Sequence, residues 1–322
     1  MSAVALSADE SGILLNAAGA APSMHNTQPW RFEVAGHVVD VLLDEERTLP
    51  AEDPAGRMIR VGLGAAAFNV RVAAAMLGYD ADHAIAPDPE RPEIVVRVFL
   101  GERHDRSHVA ELYPEVHRRR TYRGPMLELQ IAPAVRTVIG AAARDEGAGL
   151  TWLNGGARDR LLGAVLEADL LDAYDDERHA ERVRWIGGHR ERDGVPEETI
   201  GPQPARYPAP HRDLGADAPP RATAEFESRP QVAVLTTTAD GPEDWVLAGM
   251  ALQHALLVAS SYDVSASFVN QPLEHAETRQ YVRALVPAGH YPQLIARFGY
   301  PATPGGRRAP RRPWQETVDD PE

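Results

Sequence analysis

Pro22-Ser23-Met24-His25-Asn26-Thr27-Gln28-Pro29-Trp30-Arg31-Phe32 carries more information about fold and function than any other stretch of this 322-residue chain. It sets two hydroxyls, two amides and an imidazole between two prolines, after a small-residue helix and before a strand. Proline fixes φ and removes a donor, so the segment holds its polar groups at set angles. A rigid, donor-rich wall of this kind suits a small ligand with a planar ring. The competing reading is a tight loop whose Ser23, Asn26 and Gln28 satisfy nearby backbone groups.

Upstream, Ser7-Ala8-Asp9-Glu10 is a capping box that predicts a helix through about Ala20. Downstream, Trp30, Phe32 and Val34 alternate with polar residues, and Gly36-His37 turns the chain into Val38–Leu43, a hairpin pattern. Asp53-Pro54 opens a long Ala- and Gly-rich helix to about Leu77, and Pro92–Leu100 is a β-branched strand. Further on, helices are expected near 132–143, 158–174 and 177–186, with a strand near 150–153. Two of the early elements recur late and in the same order. Val70–Asp80 has an echo at Gln253–Asp263, each an apolar helix closing on Tyr-Asp. Pro92–Arg97 has one at Pro292–Arg297, each a strand led by proline. The pattern points to a degenerate internal duplication.

Gly187–Pro230 breaks every periodicity, with many Gly and Pro and few large apolar residues. Such a stretch inside a compact domain is either disordered or a functional cover. From Pro301 the chain reads as an extended Pro/Gly/Arg arm.

Composition excludes much. Hydrophobic content of 43% with 25% charged residues is the balance of an ordinary soluble globular protein. No apolar run approaches the roughly 20 residues of a membrane span, and the start lacks a signal-peptide pattern, so a cytoplasmic protein is expected. A net charge of −14 argues against nucleic acid. There is no cysteine, which removes disulfides, thiolate nucleophiles and Cys-based metal sites. There is no lysine either: all 33 basic residues are arginine, so Schiff bases and P-loop lysines are unavailable. Any phosphate must be held by Arg forks, backbone N–H groups or hydroxyls. No H-E-x-x-H or G-x-S-x-G motif occurs, and His179, His189 and His211 read as a solvated face rather than a metal site. Gly62-Leu63-Gly64 echoes a dinucleotide fingerprint, but no strand feeds it, and helix packing explains it better.

Against that acidic background two basic knots stand out. Arg118-Arg119-Arg120-Thr121-Tyr122-Arg123-Gly124-Pro125 places four arginines around a hydroxyl, a set suited to a dianionic phosphate. Arg307-Arg308-Ala309-Pro310-Arg311-Arg312-Pro313-Trp314 is the second, and a free basic tail is its plainer reading.

The opening stretch resembles the P-S-x-x-N-x-Q-P-W element of flavin-binding nitroreductases, in particular the single-chain Acg branch. Arg119–Arg123 is similar to that family's R-R-S-x-R phosphate motif with Thr121 for Ser, and the second basic knot to its C-terminal arm. The resemblance implies an α+β nitroreductase-like fold of two tandem degenerate halves, 1–105 and 106–322, forming a pseudo-dimer with central sheets flanked by helices. Residues 187–230 would be a lid insertion and 301–322 the arm. It implies one FMN per chain, held by Ser23, Met24, His25, Asn26 and Gln28 from the first half. From the second half would come Arg119, Arg120, Thr121, Arg123, Ser267, Phe268, Val269, Asn270, Arg311 and Arg312. No side chain need act as acid, base or nucleophile, and the role of His25 is open. NAD(P)H would be the donor and a small nitro or quinone compound the acceptor, with hydride passing through flavin N5. A protein that sequesters FMN beneath the lid, and a flavin-free scaffold, are the alternatives. Whether the pseudo-dimer pairs again is left open.

Overall fold

The computed structural model describes residues 6–86, 88–103, 107–206, 209–214, 220–303 and 305–319. Helix α1 (Ala8–Gly19) starts at the expected capping box, Ser7 Oγ accepting from Glu10 N and Glu10 returning the bond to Ser7 N. Strands β1 (Trp30–Ala35) and β2 (Val38–Leu43) form the hairpin. Helix α2 (Arg57–Met76) begins three residues later than Pro54 suggested, because Gly56 turns left-handed at φ 66°. Asp53 then caps it, accepting from Ile59 N at 2.9 Å. Strand β3 (Tyr79–Ile85) follows at once, so Tyr79 opens a strand and Gly78, at φ 88°, makes the turn. Strand β4 (Ile94–Arg103) lies between β2 and β3.

The second part runs α3 (Tyr113–Arg118), α4 (Pro133–Asp145), β5 (Gly149–Leu153), α5 (Gly155–Asp172) and α6 (Asp176–Trp185). It continues with the two-residue strands β6 (Gln203–Pro204) and β7 (Thr223–Ala224), which pair in parallel within the patternless segment. Then come β8 (Gln231–Thr237), α7 (Pro242–Ser261), β9 (Ser265–Phe268), α8 (Gln271–Glu274), α9 (Ala276–Arg283) and β10 (Tyr291–Gly299).

Two four-stranded antiparallel sheets result, ordered β1-β2-β4-β3 and β5-β8-β10-β9. The orders match strand for strand. Each sheet also carries a register shift between its second and third strands, at Ile94/Val96 of β4 and Pro292/Leu294 of β10.

Helices α2 and α7, each 20 residues, cross between the sheets. A methyl group on Gly64 would overlap the Val246 carbonyl oxygen, and one on Gly249 the Val61 carbonyl oxygen. One offset of 185 residues maps Gly64 onto Gly249 and Val61 onto Val246. It also maps Asn69 onto His254 and Phe68 onto Gln253. Those cross-pairs meet too: Gln253 Nε2 donates to Asn69 Oδ1 at 2.7 Å, and His254 stacks on Phe68 at 4.7 Å. Such reciprocity is what an isologous contact between two-fold-related surfaces gives. The echo in the sequence, offset by 183, was two residues out. An Ala-rich helix sets register weakly, whereas two backbone-to-glycine contacts admit only one.

Around this pair lie the cores, one holding Leu14, Trp30, Phe32, Leu63, Phe68 and Val96, another Ile139, Leu235, Ala251 and Phe298. Each large side chain fully buried there stabilises the fold by about 1.5–3 kcal/mol. Among the described residues α2 alone is long and apolar enough to cross a membrane, and it is the buried centre of this core. The C-terminal arm crosses back to the first sheet. Phe32 N donates to Thr317 O at 2.7 Å and Asp319 N to Phe32 O at 2.9 Å, so the arm covers the open edge of β1.

Candidate functional site

A cavity of about 310 Å³ opens where four distant pieces of sequence converge. Its wall takes Pro22–Asn26, then Arg119, Arg120, Thr121 and Arg123, then Ser267, Phe268 and Asn270, and from the arm Arg307–Ala309, Arg311, Arg312 and Trp314. Asn26 and Thr121, nearly a hundred positions apart, share it. Thr121 bridges Ala266, and Tyr122 N donates to Ala266 O at 2.8 Å, so the basic knot runs beside the edge of β9.

The first wall holds an unusual backbone. His25, Asn26 and Gln28 have φ of 48°, 58° and 53°, the left-handed region that costs a non-glycine residue about 1–2 kcal/mol. Bonds inside and outside the loop hold it there. Gln28 N donates to Ser23 Oγ at 2.9 Å, Asn26 N to Ser23 O at 3.0 Å, and Gly194 N to Asn26 O at 3.1 Å. Both amides are spent on tethers. Asn26 Nδ2 donates to Gly194 O and Pro310 O, each at 2.9 Å, and its Oδ1 accepts from Arg311 Nη1 at 2.6 Å. Gln28 Nε2 donates to Arg192 O at 2.9 Å, and its Oε1 accepts from Arg312 N at 2.8 Å. Asn26 thus forms part of the wall while clasping the arm and the 187–230 segment. Gln28 lies behind the wall, as does the fully buried Val269. The other expected residues, Ser23, Met24, His25, Arg119, Arg120, Thr121, Arg123, Ser267, Phe268, Asn270, Arg311 and Arg312, all face the cavity.

The opposite wall is cationic. Arg119 Nη2 donates to Ala20 O at 3.3 Å and Arg311 Nη2 to Ala21 O at 3.2 Å, both at the C-terminal end of α1, where a helix favours positive charge. Arg123 Nη1 donates to Thr199 O at 3.1 Å. Arg119, Arg123, Arg308 and Arg311 form no salt bridge to a carboxylate among the described residues. Burial pushes Arg119 down to about 9, with Arg311 and Arg308 adding to the fall. It pushes Arg123 to about 10, and Arg311, beside Arg308 and Arg123, to about 10. The Nε atoms of Arg119 and Arg311 are buried without a hydrogen-bond partner.

Beneath the cavity the charges are compensated. His25 Nε2 bonds Glu52, which also takes Arg182 at 2.7 Å and Arg212 at 3.4 Å. Arg212 continues to Asp172 at 3.1 Å and Glu274 at 2.5 Å, and Arg178 joins the same two carboxylates. Burial alone would raise Glu52 and Asp172. His25, Arg212 and Arg182 outweigh it at Glu52, and His275 with Arg212, Arg182 and Arg178 does so at Asp172, so both carboxyls lie below their ordinary range.

Residues missed by sequence reasoning include Thr199, His211, Arg212 and Leu214 from 187–230, and Met58, Leu252, Leu294 and Arg308 from elsewhere in the chain. His211, expected on a solvated face, is 2% exposed and stacks on Phe226 at 5.0 Å and 17°. No periodicity marks a buried histidine in an irregular segment. The one available signal was its place between Pro210 and Arg212 in a stretch suited to covering a site.

No family model matches the chain. "Putative NAD(P)H nitroreductase Rv3131" of Mycobacterium tuberculosis is 30% identical over 319 residues, covering 96% of this chain and 91% of that protein. The chain belongs to this nitroreductase family. A second nitroreductase relative is "Putative NAD(P)H nitroreductase acg" of the same organism. It is 28% identical over 317 residues, 92% of this chain and 91% of the relative. Among solved structures, the nitroreductase with bound FMN of Desulfitobacterium hafniense superposes with a TM-score of 0.42 at 14% identity, over 66% of this chain and 98% of that one. The FMN- and NADPH-dependent nitroreductase NfnB of a Sphingopyxis strain gives 0.42 at 15% identity, over 65% and 97%.

Proposed function

We propose that the chain binds one FMN in the composite cavity and is an NAD(P)H-linked oxidoreductase acting on small nitro or quinone compounds. One observation carries the reading: four guanidiniums without carboxylate partners among the described residues stand beside a hydroxyl at a cavity that also has apolar side chains and a rigid loop in its wall. A dianionic phosphate is the group this cluster lacks. Arg119, Thr121, Arg123, Arg308 and Arg311 would hold it. Met24, Leu252, Phe268 and Leu294 offer apolar surface for a ring, with Ser23, His25, Asn26, Ser267 and Asn270 around it. Bound flavin supplies hydride transfer, and the chain supplies binding, orientation and charge. That relatives are named NAD(P)H nitroreductases supports the nicotinamide donor and the nitro acceptor.

The two halves, 1–105 and 106–322, read as a fused pseudo-dimer, supported by the matching sheet orders and the reciprocal α2–α7 contact. One site per chain follows from loop length. Ten residues, 20–29, link α1 to β1 and hold the Pro-Ser segment, whereas three, 146–148, link α4 to β5, too few for a second wall.

Residues 187–230 act as a lid in this account. Arg212, locked among Glu52, Asp172 and Glu274, favours a closed resting state and with it the sequestering reading. The test is steady-state NADPH oxidation with a nitroaromatic or a quinone, for the intact protein and for Arg212→Ala. Slow turnover that rises severalfold in the variant supports a latched reductase. Turnover absent from both, with flavin bound, leaves sequestration as the function.

A further inference from the structure

Among the described residues, His211 is the one buried imidazole of the cavity wall whose two ring nitrogens both lack a hydrogen-bond partner. His25, the wall's other buried imidazole, is committed to Glu52. At 2% exposure the ring is closed to bulk solvent. A neutral imidazole has one N–H donor and one lone-pair acceptor, and buried polar groups are hydrogen-bonded as a rule. The ring lies flat on Phe226, which the Arg297 guanidinium also approaches, 5.2 Å from the ring centroid. Burial pushes His211 down to about 3, and Arg297, Arg123 and Arg221 add to the fall, so no proton gives it charge near neutral pH. A phosphate offers acceptors only, whereas this uncharged ring presents both a donor and an acceptor.

We propose that His211 is a ligand-recognition residue that hydrogen-bonds the polar imide edge of the flavin ring, so that the segment covering the cavity reads the cofactor it encloses. An imide edge offers an N–H beside carbonyl oxygens, which complements an imidazole in either tautomer. The inference rests on the FMN reading and deepens it. Closure and binding become linked, because a contact that exists only when 209–214 is in place favours the closed segment whenever flavin is bound.

The test is fluorescence titration of FMN into flavin-stripped protein, for the unaltered chain, His211→Phe and His211→Gln. Phenylalanine keeps the stack on Phe226 and removes both polar atoms; glutamine restores a donor and an acceptor. His211→Phe is expected to bind FMN about tenfold or more weakly, and His211→Gln to recover most of that loss. The flavin-free His211→Phe protein should melt no lower than the unaltered one, since it no longer buries unpartnered nitrogens. FMN should slow tryptic cleavage after Arg212 in the unaltered chain and not in His211→Phe. Equal FMN affinity in all three proteins, or equal loss in both variants, would overturn the inference. No FMN binding by the unaltered chain would overturn the proposed function itself, and this contact with it.

Discussion

Replacing Arg119 with methionine should raise the stability of the flavin-free protein and leave the loaded one with little or none of that gain. Arg119 is 9% exposed, has no carboxylate partner among the described residues and faces other guanidiniums. Its fall from 12.5 to about 9 corresponds, at 1.36 kcal/mol per pH unit, to a penalty on the order of 5 kcal/mol for keeping the charge buried near neutral pH. Methionine removes that penalty but strands the Ala20 carbonyl, at a cost of about 1–3 kcal/mol. The net gain is about 2–4 kcal/mol. At roughly 2.1 cal/mol/K per residue, a chain of this length has an unfolding entropy near 0.7 kcal/mol/K, so Tm should rise by about 3–6 °C. With FMN most of that gain is cancelled. Losing one charge-assisted bond to phosphate costs about 1.5–3 kcal/mol, or about 10- to 100-fold in Kd. Differential scanning fluorimetry with and without saturating FMN reads both effects. A flavin-free Tm that falls by 3 °C or more, with FMN affinity unchanged, would show that the cationic wall is structural and refute the reasoning.

Asn26→Ala removes the clasp on Gly194, Pro310 and Arg311 and should speed proteolysis of both the arm and 187–230, while FMN affinity drops about tenfold. Glu52→Gln leaves Arg182 and Arg212 short of their buried counter-charge and should destabilise the fold by about 3–5 kcal/mol, read as a lowered urea midpoint. Glu52 and Asp172 are carboxylates whose folded values lie below the ordinary 4.5 and 3.8. Their stabilisation is therefore complete above those values and is lost as pH falls through them, so the midpoint should drop below pH 4.5 in the unaltered protein and less steeply in Glu52→Gln. Gly249→Ala should cost about 3 kcal/mol or more, because the Val61 carbonyl it meets belongs to a helix that cannot shift alone; unchanged thermal stability would deny that the two helices meet there.

Much of the fold was readable because its signals are local. The capping box at Ser7, the alternation at Trp30–Val34 and the Gly36-His37 turn each specify one element through its own residues. The register of the α2–α7 pair was not readable to the residue, since it is fixed by where Gly64 and Gly249 meet carbonyls far along the chain. At the site, the dense polar loop and the two arginine knots announced themselves by composition. The use of the Asn26 and Gln28 amides as tethers did not, because their partners at Gly194, Pro310 and Arg312 become neighbours only after folding. His211 and Arg212 stayed hidden for the same reason: an irregular segment has no period from which to infer a buried face.

Whether unlike parts of one chain make one flavin site is tested most directly by counting. Protein reconstituted with excess FMN and freed of unbound cofactor should carry one FMN per chain, measured from the flavin band near 450 nm against total protein. A ratio of zero, or of two, would contradict the account.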